Sequence, residues 1–206
     1  DRWETLTYVW NEEQTDAYLK VGGKTVNTHF TDSTGQIRAV RYRVPNKNQC
    51  KECHVSGDSI VPIGPKPRNL DKDFDYPEQT MNQLIKWSNM NIIDDYPQDV
   101  KAVVDFTDPS ENIEARARAY LAINCGHCHS PLGSASSTGL YLNYGEKRSK
   151  QLGVLKPPVA AGRGSGGLNY SIVPGDPDAS ILLFRMISDD PAIMMPESGR
   201  SIIHQE

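Results

Sequence analysis

The chain has 206 residues, enough for one large or two small domains, and 22 Lys+Arg against 26 Asp+Glu give a formal net charge of −4. Apolar residues make up 37 %, with 16 Gly and 14 Pro, a lean supply for two self-sufficient cores. No basic stripe points to nucleic acid. The longest apolar run, Ile181-Leu182-Leu183-Phe184, is broken by Arg185 and falls far short of a membrane span.

Residues 1–48 read as a β-rich segment. Positions 25–30 and 37–44 alternate, and Asp32-Ser33-Thr34-Gly35 is a turn cluster between them, which predicts a hairpin. His29 falls on the polar face with Asn27, opposite Val26, Thr28 and Phe30. It reads as an ordinary surface histidine, with a distal metal ligand as the alternative. Pro45 ends the second strand and leads into Cys50-Lys51-Glu52-Cys53-His54. A Gly- and Pro-rich loop follows over 57–75, carrying Lys66 and Arg68. Pro77 is expected to open a helix to about 91, with Met81, Leu84, Ile85 and Ser88 in one stripe and Trp87 and Met90 on its shoulder.

The stretch 94–110 is polar and Pro-punctuated and reads as a link. Asp108 as N-cap, Pro109 at the first position and Glu111 three beyond the cap predict the next helix. That helix runs through 113–123 into Cys125-Gly126-His127-Cys128-His129. Residues 131–170 are irregular and include the Gly-rich run 156–167. This run lacks both the Gly-Lys-Ser/Thr ending and the preceding strand of a phosphate loop. A close backbone approach to a prosthetic group, with Arg163 at hand, suits it better. Asp176 and Pro177 are expected to cap and start a last helix to about 188, ahead of Ile193-Met194-Met195-Pro196.

The two C-x-x-C-H motifs use all four cysteines of the chain. This is the attachment signature of a c-type haem. Cysteines three apart share one side of a helical turn and can form thioethers to both vinyl groups on one porphyrin edge. The next histidine then lies under the ring as proximal iron ligand. Three other chemistries use such residues. Zinc would need the motifs, about 75 residues apart, to meet in space, with both trailing histidines left to coincidence. Dithiol exchange is suggested by Cys125-Gly126-His127-Cys128, the active-site motif of protein disulfide isomerases. There, however, the motif follows a strand and opens a helix, whereas a helix-forming stretch precedes it here. A disulfide within each C-x-x-C leaves both histidines unexplained. Two haems c are therefore the expected cofactors, bound by Cys50, Cys53, Cys125 and Cys128, with His54 and His129 on the irons. Arg68 and Arg163 are candidate propionate partners. For the first iron Met81 is the leading distal candidate, with Met90 and His29 behind it.

The second half resembles class I cytochromes c. The residues that carry this are the motif helix, Pro174-Gly175-Asp176-Pro177-Asp178-Ala179-Ser180-Ile181-Leu182, and Met195-Pro196. The resemblance implies Met195 as distal ligand of the second haem, with Met194 and Met186 as substitutes and His204 in an exposed tail. More narrowly, the chain is similar to a family of uncharacterised bacterial dihaem c-type cytochromes. The matching stretches are Tyr8-Val9-Trp10-Asn11-Glu12 with Thr15-Asp16-Ala17, Val44-Pro45-Asn46 before Gln49-Cys50, Asn82-Gln83-Leu84, and Met195-Pro196-Glu197-Ser198-Gly199-Arg200-Ser201. Members of that family extend past both ends of this chain, and Asp1 and Glu206 read as trimmed or abrupt termini.

The resemblance implies a mainly α fold: a β-rich segment over 1–48, a first haem domain over 49–107 and a second, class I-like one over 108–206. The function expected is single-electron transfer between redox proteins that dock through basic patches, not an enzyme activity. Covalent haem attachment occurs outside the bacterial cytoplasm, so a periplasmic or otherwise exported location follows from the motifs. The alternatives are a dihaem peroxidase or oxygenase with one open haem, and a haem subunit of a larger assembly, with an oligomer left open.

Overall fold

The computed structural model describes residues 3–32 and 34–204. Ser33 of the turn cluster, and the termini at Asp1 and Glu206, lie outside the described residues. Among the described residues helix accounts for 22 % and strand for 18 %, and the strands form four separate antiparallel pairs. This overturns the expected mainly α fold of two cytochrome c-like domains. Four of the five α-helices among the described residues have seven residues or fewer. Asx side chains that cap turns, together with the many Gly and Pro, break the segments that periodicity would extend.

The chain forms two compact units. One is built from Asp1–Pro62 and Ala122–Glu206, the other from Ile63–Leu121. In the first, β1 (Tyr8–Trp10) pairs with β2 (Ala17–Leu19). β3 (Lys24–Thr31) pairs with β4 (Ile37–Val44) in the register Lys24↔Val44 to Thr31↔Ile37, the hairpin that the alternation predicts. Its turn is held by Asp32, whose Oδ1 accepts from Thr34 N at 2.9 Å and Gln36 N at 2.9 Å. Then come α1 (Lys47–Cys53), the short hairpin of β5 (Val55–Ser56) and β6 (Ser59–Ile60), and, after the second unit, an irregular stretch from 125 to 180. Ala122, Leu142 and Ile181 are its buried apolar residues among those described.

The last helix here, α5 (Ile181–Ile187), starts later than expected. Asp176 instead closes a turn, accepting from Ala179 N at 3.1 Å. The Ser180 hydroxyl folds back, donating to Asp176 O and accepting from Val173 N, both at 2.9 Å. The Gly-rich run lies against α5: a Cβ on Gly166 would stand 2.7 Å from the Phe184 ring.

The second unit holds α2 (Pro67–Leu70), the β7–β8 hairpin (Asp73–Asp75 with Thr80–Asn82), α3 (Gln83–Asn89) and the greater part of α4 (Ile113–Asn124). Leu84 and Ala119 are buried, and Phe106 meets Tyr120 edge to face at 5.3 Å. The helix expected over 77–91 begins at Gln83, because Asn82 caps it, accepting from Leu84 N at 2.9 Å and Ile85 N at 3.3 Å. Met81 consequently lies on a strand, opposite Phe74. Likewise the cap of α4 is Asn112, which accepts from Glu114 N at 2.9 Å, while Asp108 closes a separate turn on Ser110 N at 2.8 Å. Among the described residues no helix is long and apolar enough to cross a membrane.

Candidate functional site

Both cysteine motifs belong to the first unit. The first is set by a capping box: Asn46 Oδ1 accepts from Asn48 N and Gln49 N, each at 2.9 Å, while Gln49 Oε1 accepts from Asn46 N at 3.0 Å. This fixes α1, and with it Cys50 and Cys53, three apart on one helix. His54 is the C-cap, its N–H donating to Cys50 O at 3.0 Å. The β5–β6 turn then brings Val61 back to it. Val61 N donates to His54 O at 3.1 Å, and His54 Nδ1 lies 3.2 Å from Val61 O. Beside them is a cleft of about 260 Å³ lined by Trp3, Leu6, Cys50, His54, Ile60 and Val61 among others. Cys50 Sγ is 3.5 Å from the Thr7 hydroxyl, which itself donates to Pro45 O at 3.1 Å.

The second motif follows the end of α4. Here His129 N donates to Cys125 O at 2.9 Å, repeating the relation of His54 to Cys50. His129 Nδ1 lies 3.3 Å from Leu140 O, and His129 O accepts from Leu142 N at 2.8 Å. Main chain presses closely on this motif. A Cβ on Gly126 would lie 2.8 Å from Ala122 O and 3.0 Å from Asn143 Cα, and one on Gly133 would lie 2.1 Å from Cys128 O. Burial pushes the Cys125 thiol up to about 11 and holds His129 below the ordinary histidine range.

The two histidines therefore share one device. A carbonyl can only accept, so each Nδ1 carries the proton, and Nε2 keeps a lone pair for a metal. A metal-bound histidine is ordinarily oriented in this way.

The motifs also meet. Among the described residues, Cys53 Sγ, a ring nitrogen of His127 and Cys128 Sγ lie within 4.8 Å of one another. Cys128 Sγ is 3.4 Å from Glu52 O, and Gly57 N donates to Leu132 O at 2.8 Å, tying the segments that follow each motif. A hydrogen bond from Cys53 lowers the Cys128 thiol, helped by His127 and Ser134, and correspondingly raises that of Cys53. Dithiol exchange fits poorly. It wants an activated cysteine at a helix N-terminus, whereas Cys125 and Cys128 both follow the C-terminal end of α4.

The remaining candidates are placed as follows. Met195 is half-buried, and its N–H donates to Arg185 O at 3.0 Å; the positive charge of Arg185 is felt at His129. Arg185 Nε also donates to Ile193 O at 2.7 Å, so one side chain fixes the Met loop. Met186 and Met194 are half-buried, and His204 is exposed. Arg163 pairs with Asp190 at 2.8 Å on the surface. His29 is exposed on β3, opposite Ala39. Arg68, half-buried Met81 and exposed Met90 belong to the unit Ile63–Leu121. Sequence reasoning missed His127, an interior position of the motif, and the carbonyls of Val61 and Leu140. The spacing of residue types carries no signal for a main-chain acceptor. No protein-family model, no curated protein and no solved structure matches the chain.

Proposed function

We propose that this chain is a dihaem c-type electron carrier. The carrying observation is that both C-x-x-C-H motifs present the trailing histidine in the same way, with Nδ1–H on a main-chain carbonyl at 3.2 and 3.3 Å. Cys50, Cys53 and His54 would hold one haem, and Cys125, Cys128 and His129 the other. When bound, each haem supplies a one-electron iron couple. The chain's own residues do the rest. The carbonyls of Val61 and Leu140 fix the imidazole tautomer and ring orientation. Burial around His129 keeps its imidazole neutral, as ligation requires. Met195, on the loop fixed by Arg185, would hold the iron of the second haem together with His129, a Met/His set that would raise its potential.

The composition agrees. Leu84, Ala119, Ala122, Leu142 and Ile181 are the buried apolar residues among those described, while Trp3 and Leu6 beside His54 are 63 % and 46 % exposed. A large apolar prosthetic group would supply body to such a fold. The net charge of −4 suits weak, salt-sensitive docking to a basic partner, and covalent haem implies an exported protein.

Intact-mass measurement of the exported protein tests the proposal: the mass of two added haems is expected, and a bare polypeptide mass overturns it. The oxidised visible to near-infrared spectrum should then show low-spin haem with a far-red sulfur-to-iron band. A high-spin component would instead favour an enzyme with one open haem. A second reading, a zinc centre, is favoured by the meeting of Cys53, His127 and Cys128 within 4.8 Å. Metal analysis giving one zinc per chain, with no haem mass, would establish it in place of the carrier.

A further inference from the structure

We infer that the two haems meet edge to edge at Cys53 and Cys128, the second cysteine of each motif, so that an electron passes between the motifs without an intervening protein relay. This rests on the dihaem reading. In a c-type attachment each cysteine sulfur is bonded to a former vinyl carbon on the porphyrin rim, so the sulfur positions mark the rim. Cys53 Sγ and Cys128 Sγ come from different motifs and lie within 4.8 Å of each other.

The first cysteines lie outside this cluster. Cys50 Sγ rests on the Thr7 hydroxyl at 3.5 Å and lines the cleft beside His54, while Cys125 is half-buried. The juncture is braced by Gly57 N, which donates to Leu132 O at 2.8 Å. The exchange is one electron from a ferrous to a ferric centre. No bond is made or broken, and no proton moves.

Circular dichroism in the Soret region of the intact two-haem protein tests the contact. Rims in contact should give a two-signed, exciton-split band whose shape is unchanged on dilution. The oxidised protein should also show dipolar broadening in its electron paramagnetic resonance spectrum. At half reduction the two chromophores no longer match in energy, and the splitting should collapse. The double substitution Cys125→Ser with Cys128→Ser, leaving one haem, should abolish it; if that variant does not fold, the half-reduction experiment on the unmodified protein decides. A protein with two haems by mass, a single-signed Soret band and unbroadened resonances overturns the contact while leaving the carrier reading intact. A splitting that fades on dilution also overturns it, by placing the contact between copies. A protein without haem mass fails at the earlier proposal, not at this one.

Discussion

In the first motif both cysteines lie within α1, and the helix is anchored from its N-terminal end by the reciprocal bonds of Asn46 and Gln49. In the second, Cys125 to His129 lie beyond the end of α4 and are held by main chain packed against main chain at Gly126 and Gly133. Open cleft borders the first, whereas burial shifts both Cys125 and His129 in the second. The two nonetheless deliver the same product, a histidine with Nδ1 on a carbonyl. Local sequence is enough to set the first arrangement. The second depends on segments that arrive later in the chain, and its tolerance to change should be correspondingly lower.

The hardest test of that difference is Gly133→Ala. Its Cβ would fall 2.1 Å from Cys128 O and 2.6 Å from His127 O, so backbone must move. A loss of about 3 kcal/mol is expected from such overpacking. Thermal unfolding that leaves Tm unchanged would show that the second motif is not held by close packing. Gly126→Ala meets Asn143 Cα at 3.0 Å and should cost about 2 kcal/mol, read in the same way. On the other side, Asn46→Ala removes the cap of α1 and should cost about 1 kcal/mol, measurable by urea denaturation. A cost equal to that of Gly133→Ala would erase the distinction between the two motifs.

The smallest effect concerns the loop behind the second motif. Glu146, its side chain 7 % exposed, accepts from Arg148 Nη2 at 2.7 Å and Nε at 2.9 Å and from the backbone N of Lys147 and Arg148. These bonds hold its carboxyl down to about 2, from an ordinary 4.5. The stabilisation is complete above the unfolded value and is lost as pH falls from about 4.5 towards 2. Tm measured against pH should show that acid limb flattened in Glu146→Gln; an unchanged limb would assign it to other carboxylates.

The elements legible in the sequence were those whose cause is local. Alternation marked β3 and β4, and residue spacing marked both cysteine motifs. Helix starts were misplaced wherever two Asx or Ser residues competed for one cap. Asp108 stood ahead of Asn112, and Asp176 ahead of Ser180. Each upstream residue satisfied a nearby turn, and the helix began at the next opportunity. That competition is decided by geometry, which single-residue preference does not contain. The convergence of Cys53, His127 and Cys128 was illegible for another reason: it joins distant parts of the chain, and no local pattern records it.

The unit that carries both motifs is interrupted in sequence by residues 63–121. A chain emerging from its N-terminus therefore presents Gly57 and Glu52 long before Leu132 or Cys128 exists to meet them. Closing a loop of that length costs conformational entropy before any contact returns it, and topologies rich in such distant contacts fold slowly. For that interval the first motif stands without its partner. The order in which the two halves of the site become available is thus written into the connectivity of the chain.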